Sequence, residues 1–130
     1  MAKKIFISYD YDNDRTWKNL LLAWDANSLF DFSFSDQSAD VGVNSYDAAA
    51  IKRAISAKIN SAPTFLCIVG SKTYTSDWVE WEIGKAVELK KKLVAVKIAS
   101  TNTSPDAIMG VGASWANSFT FEAIKKALDG

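Results

Sequence analysis

No histidine occurs anywhere in the 130 residues. That absence excludes the Ser-His-Asp and Cys-His nucleophile arrangements together with every histidine-based metal centre. Cysteine is nearly absent too. The lone Cys67 cannot close an internal disulfide, and within the run Phe65-Leu66-Cys67-Ile68-Val69 it reads as a small core residue. No apolar stretch approaches the ~20 residues that span a bilayer, and the opening Met-Ala-Lys-Lys leads into no long apolar segment of the signal-peptide kind. Charge of either sign is not in excess: 15 Lys+Arg balance 15 Asp+Glu, so no net field draws the chain toward nucleic acid or a membrane surface. These absences together predict a cytoplasmic protein with neither of those partners.

What remains is enough for a core. Hydrophobic residues make up 48% of the chain, too many for disorder. The length suits one domain over residues 1–130, burying roughly two-thirds of the unfolded chain's surface. The only charge run, Lys90-Lys91-Lys92, falls at the end of a predicted helix, where cations offset the dipole.

Along the chain, apolar runs alternate with amphipathic segments. Ile5-Phe6-Ile7 is continuous and apolar, as a strand covered on both faces would be. Trp17, Leu20, Leu21 and Trp24 follow at helical spacing, with Asp12, Asn13 and Asp14 as candidate caps. Phe30 to Ser35 alternates with period two and predicts a strand at a sheet edge. A polar loop over 36–46 precedes Ala48, Ile51, Ile55 and Ile59, again at helical spacing, with Pro63 as the stop. Phe65–Val69 and Leu93–Ile98 predict two more buried strands, separated by a helix over about 77–91. Phe121, Ile124 and Leu128 predict a closing helix, and a fifth strand belongs somewhere in 107–119. This alternation predicts a flavodoxin-like α/β fold of three layers, with helices on both faces of a parallel sheet ordered 2-1-3-4-5. Ligands of such sheets sit at the carboxyl ends of the strands, where the winding direction switches. Here those ends are Ser8-Tyr9-Asp10, Ser35-Asp36 and Gly70-Ser71-Lys72.

One segment stands out: Ser71 to Ile83, SKTYTSDWVEWEI. Ser76 or Asp77 can cap its helix, and Asp77 with Glu80 has capping-box spacing. At about 100° per residue, Val79, Ile83, Ala86 and Val87 define an inward arc. Glu80 and Glu88 fall outside it, as solvated carboxylates should. Glu82 falls inside it, one turn after Trp78 on the same face. A carboxylate among apolar side chains is costly without a partner or a job. The wheel alone leaves both open: Glu82 binds a backbone amide or a cation such as Lys72 for the sake of the fold, or it acts on a ligand.

Three stretches, KIFISYDYDND, IVGSKTYTSDWVEWEIGKA and LVAVKI, together resemble TIR domains, and more closely the TIR-like proteins of Thoeris antiphage defence. The resemblance runs from Lys4 to about Ile98, and its most specific element is S-x-W-x-x-x-E with the preceding S-K-T-Y. It implies cleavage of NAD+ at the nicotinamide–ribose bond, with Glu82 as the catalytic carboxylate and Trp78 lining the pocket. It implies no prosthetic group and no metal, NAD+ being the substrate, and an ADP-ribose-derived signal, as in cyclic ADP-ribose isomers, that reaches a separate effector. Ser8, Tyr9, Asp10, Asp36, Lys72 and Tyr74 are the further substrate-binding candidates. Asp36, Asn44 and Tyr46 fall in the loop that TIR proteins use for assembly. The Arg-Asp-x-x-Pro-Gly box of animal TIR domains is missing there, which puts assembly by that loop in doubt and leaves a homo-oligomer open.

The chemistry does not need a histidine. Nicotinamide departs as a neutral group, so no general acid is required. The cationic, oxocarbenium-like ribose left behind is what a fixed carboxylate can stabilise. A different class of function remains beside this one, a non-catalytic TIR-like interaction module, since fold similarity does not decide activity. A phospho-receiver is excluded, because Val69-Gly70-Ser71 stands where its acceptor aspartate would be. A flavodoxin lacks support as well: Ser-Tyr-Asp-Tyr-Asp follows the first strand in place of a phosphate-binding loop.

Overall fold

A computed structural model describes residues 3–26, 32–37 and 48–129. Five strands form one sheet in the order β2-β1-β3-β4-β5 and every neighbouring pair is parallel. The strands are β1 (Lys3–Ser8), β2 (Phe32–Gln37), β3 (Thr64–Val69), β4 (Lys92–Lys97) and β5 (Ser114–Ala116). The helices are α1 (Tyr11–Ala26), α2 (Ala48–Ser61), α3 (Asp77–Glu88) and α4 (Phe121–Asp129), with short 3-10 turns at Thr73–Thr75 and Asp106–Ile108. The expected order is the observed one. The alternating second strand lies at the edge, two residues later than its pattern suggested, and the fifth strand is a three-residue piece inside the predicted window.

The period-two rule of a strand divides the core. Ile5, Ile7, Leu66, Ile68, Val94 and Val96 face one way and pack with Leu21 of α1 and Ile124 and Leu128 of α4. Phe6, Phe65, Cys67, Val69 and Ala95 face the other way and pack with Ile55 and Ile59 of α2 and Val79 and Ile83 of α3. Phe6 and Phe65 stack at 5.6 Å in that second layer. The central strand β3 is buried along its whole length, which is why its sequence reads as an unbroken apolar run. Burial pushes the Cys67 thiol far above its ordinary range, with the nearby Glu82 carboxyl adding to the effect, so it is an inert core residue.

Local chemistry sets the helix boundaries. Helix α1 starts before the residues expected to cap it. The Asp10 carbonyl accepts the Asn13 and Asp14 amides at 3.2 and 2.7 Å, and the Asp10 carboxyl accepts from Asn13 Nδ2 at 2.6 Å. Ser76 caps α3 by accepting the Val79 amide at 3.3 Å, which makes Val79, not Glu80, the third helical residue and removes the capping box. Glu80 is not simply solvated: its Oε1 accepts the Ala107 amide at 3.0 Å and secures the Asp106–Ile108 turn. Val87, expected in the inward arc, is 38% exposed, because the buried face of α3 is rotated toward Trp78 and Glu82. The lysine run closes three helices rather than one. Lys90 takes a left-handed conformation (φ 59°) just past α3, Lys91 Nζ donates to the Asn60 carbonyl at 2.8 Å, and Lys92 Nζ donates to the Leu128 carbonyl. Both acceptors are at helix carboxyl ends, where cations are favoured. Among the described residues, no helix is long and apolar enough to cross a membrane.

Candidate active site

The sheet changes winding direction between β1 and β3, so the chain leaves these neighbouring strands toward opposite faces. From β1 it turns into α1; from β3 it passes through Gly70 and the Thr73–Thr75 turn into α3. Among the described residues two carboxyl groups are buried at this divide, one on each side.

Glu82 is on the α3 side, with no solvent-exposed surface. Ser8 is the last residue of β1 and shares the even-numbered face of Phe6, so its side chain points toward α3. Its Oγ donates to Glu82 Oε1 at 2.8 Å. A hydrogen bond to a charged acceptor is the usual requirement for keeping such a group in the interior. Trp78, one helical turn earlier, is 8% exposed, and among the described residues its buried Nε1–H has no hydrogen-bond acceptor. Its ring meets Trp81 edge to face at 5.6 Å. Trp81 in turn carries the ammonium groups of Lys52 and Lys85 at 5.6 and 6.0 Å from its centroid. Trp81 is thus flanked by two cations, while Trp78, one turn before Glu82 on the same helix, is buried.

Asp14 occupies the α1 side and is 4% exposed. Its Oδ2 accepts the Thr73 hydroxyl at 2.7 Å, and the Thr73 oxygen accepts the Gly70 amide at 2.7 Å. Burial raises the Asp14 pKa above the ordinary aspartate value, against the lowering effect of the Thr73 hydrogen bond; the charge of Asp10 raises it further and the Gly70 amide opposes. Glycine is required at 70 by space. A Cβ there would lie 2.1 Å from Asp14 Oδ1.

The other sequence candidates divide around this centre. Tyr9 is one residue past Ser8 and faces the opposite layer, packed with Leu21 and carrying the Lys18 ammonium 5.6 Å from its ring centroid. Asp10 is partly exposed and caps α1. Lys72 is exposed and makes no ion pair among the described residues, so it is not the cation that holds Glu82. Tyr74 is 50% exposed on the turn above β3. Asp36 is placed by its backbone near the end of β2, in register with Phe6. Asn44 and Tyr46 lie outside the described residues.

Sequence reasoning missed Asp14 and Thr73 as parts of the site. A signal was present. Asp14 lies seven residues before the buried Leu21, with Trp17 and Lys18 between them at helical spacing, so it shares the inward face of α1 just as Glu82 shares that of α3.

Residues 6–103 match the family model of the Thoeris protein ThsB, TIR-like domain. The chain belongs to the ThsB TIR-like family. The matched span contains every element just described, from Phe6 beside Ser8 through the α3 segment. A curated relative, "Putative cyclic ADP-D-ribose synthase ThsB1" of Bacillus cereus (strain MSX-D12), is 25% identical over an alignment that covers all of this chain and 68% of the relative. Among solved structures, the Clostridium botulinum CMP N-glycosidase BcmB superposes with a TM-score of 0.64 at 14% identity, covering 98% of this chain and 99% of that one. A 3-dehydroquinate dehydratase-like protein from Bifidobacterium longum gives a TM-score of 0.51 at 17% identity, over 99% and 94% of the two chains. At such identities the two structures speak for the fold of this ThsB-family chain and for nothing finer.

Proposed function

We propose that this ThsB-family chain is an antiphage-defence enzyme that cleaves NAD+ at the nicotinamide–ribose bond and releases an ADP-ribose-derived signal, cyclic in form, for a separate effector. One observation carries the reading: Glu82, on the α3 element of the family, is a carboxylate with zero exposure, held by Ser8 at 2.8 Å at the carboxyl ends of the strands. A purely structural carboxylate gains little from that position, where the fold's ligand crevice lies. The name of the Bacillus cereus relative, "Putative cyclic ADP-D-ribose synthase ThsB1", points to the same chemistry.

In the reaction the C1′–N bond breaks and its electron pair stays on the nicotinamide nitrogen, which leaves neutral. The Glu82 carboxylate offsets the positive charge that develops on the ribose, and Ser8 fixes its orientation. The vacated C1′ then takes a nucleophile from elsewhere in the same molecule, which loses its proton to solvent. Held close and away from water, this internal attack competes with hydrolysis. Trp78 supplies a buried N–H one helical turn from Glu82, and Lys72 and Tyr74 offer a cation and an aromatic face to the pyrophosphate and base. Because Glu82 has no exposed surface in this structure, ribose reaches it only after neighbouring side chains move, and turnover by the isolated protein is expected to be slow.

The test is mass spectrometry of NAD+ incubated with wild type and Glu82→Gln at high protein concentration, repeated in lysate of phage-infected cells. Nicotinamide and an ADP-ribose species formed by wild type alone is the expected result. Consumption by neither protein under both conditions would overturn the reading in favour of a non-catalytic interaction module.

A further inference from the structure

We propose that Asp14 is a positioning residue of the substrate crevice, acting through Thr73 to hold the 70–76 turn at the height from which Lys72 and Tyr74 meet the substrate. The proposal rests on the NAD+ reading above. The contacts form a chain across the divide of the sheet. The Gly70 amide donates to Thr73 Oγ1 at 2.7 Å, and Thr73 spends its only hydroxyl proton on Asp14 Oδ2, also at 2.7 Å. Thr73 is wholly buried, whereas Lys72 and Tyr74, its two neighbours, are exposed. The turn is thus pinned at one residue and presents the residues on either side. The remaining bonds of the turn are local, Thr75 and Ser76 amides to the Lys72 and Thr73 carbonyls and the Thr75 hydroxyl to the Lys72 carbonyl, and at its far end Ser76 accepts the Val79 and Glu80 amides of α3.

Two features argue that this is more than a fold contact. The anchor comes from α1, an element 59 residues away in sequence, although a local cap would have closed the turn. It also uses a buried carboxyl, and Gly70 is stripped of a side chain to admit it, with a Cβ at 2.1 Å otherwise in the way. A carboxyl group is a costly means of fixing a turn that an apolar side chain could have packed. It does fix the oxygen of Thr73 in direction as well as position, since the hydroxyl is donor to one partner and acceptor to the other.

The experiment compares Thr73→Val, Thr73→Ser and Asp14→Asn with wild type, using NAD+ as the probe. It reads KM and kcat by nicotinamide release and NAD+ affinity by calorimetry. Amide hydrogen exchange over 70–76 gives a readout that needs no activity. Thr73→Val and Asp14→Asn are expected to speed exchange of the Gly70 amide at least tenfold and to raise KM about tenfold, with kcat within threefold of wild type. Thr73→Ser keeps the hydroxyl and is expected to stay within threefold on every measure. Faster exchange with unchanged KM in an active wild-type background overturns the proposal and leaves the NAD+ reading standing. A wild type that neither binds nor consumes NAD+ overturns both. Asp14→Asn serves if Thr73→Val does not fold.

Discussion

Glu82 and Asp14 are two carboxyls buried within the same few strand ends, each bonded to one hydroxyl, yet their surroundings differ in kind. Asp14 is tied into a closed relay of donor and acceptor that ends on a backbone amide, and the backbone of Gly70 has been shaped around it. Glu82 accepts the hydroxyl of Ser8 from another element, and its turn-mate Trp78 has an N–H with no acceptor among the described residues. A group whose neighbourhood is hydrogen-bonded to completion is suited to holding shape. One whose neighbourhood retains an unspent donor is suited to receiving something. Burial alone does not separate the two roles; the state of the neighbouring donors does.

The comparison is sharpened most strongly by Glu82→Gln, which keeps shape and removes charge. Turnover is expected to fall by about 10³-fold, the scale for losing a charge-stabilising group, with thermal stability nearly unchanged by calorimetry. A protein that melts much earlier and retains activity would place Glu82 in the same class as Asp14. Gly70→Ala tests the other side. Its Cβ must displace Asp14, and urea unfolding should show a loss of about 3 kcal/mol, near the top of the overpacking range. Adding Asp14→Ala to that variant removes the clash and should return part of the stability; strict additivity of the two losses would refute the steric account.

Smaller effects follow. Ser8→Ala removes a charge-assisted hydrogen bond worth about 1.5–3 kcal/mol, and a fall in turnover of roughly tenfold to a hundredfold is expected if that bond orients Glu82 for the reaction. The smallest expected difference is in pH dependence. The Asp14 pKa is raised by burial, so the folded state holds its proton at pH values where the unfolded chain has released it. Stability therefore falls as pH rises from the ordinary aspartate value through the raised folded one, and is level above it. Asp14→Asn should flatten that decline. Denaturant titrations of both proteins across this window check it, and parallel curves would mean that Asp14 titrates as an ordinary aspartate.

Most of the fold could be read from the chain because its signals are local. Strands β3 and β4 are covered on both faces and show it as apolar runs; β2, at the edge, shows it as alternation. Order 2-1-3-4-5 followed from which strand alternated. Where the reading slipped, a non-local contact had intervened. Glu80 looked solvated on the helix wheel, but the Ala107 amide reaches it from 27 residues away. Val87 looked inward because the wheel weighs hydrophobicity, whereas the buried face of α3 is the one carrying Trp78, Val79, Glu82, Ile83 and Ala86, with Val79, Ile83 and Ala86 packed in the core. Tyr9 was grouped with Ser8 by adjacency, though neighbouring residues on a strand serve opposite layers.

By itself, then, the sequence determined the layers, the strand order and the presence of a carboxylate inside α3, since each depends on periodicity within one element. It also excluded histidine chemistry outright. Only the tertiary structure decided which hydroxyl holds which carboxyl. Ser8 reaches Glu82 across 74 residues and Thr73 reaches Asp14 across 59, and no spacing along the chain encodes either meeting. Those pairings arise because β1 and β3 are neighbours in a parallel sheet whose connections leave toward opposite faces, bringing the start of α1 and the turn into α3 to a single divide.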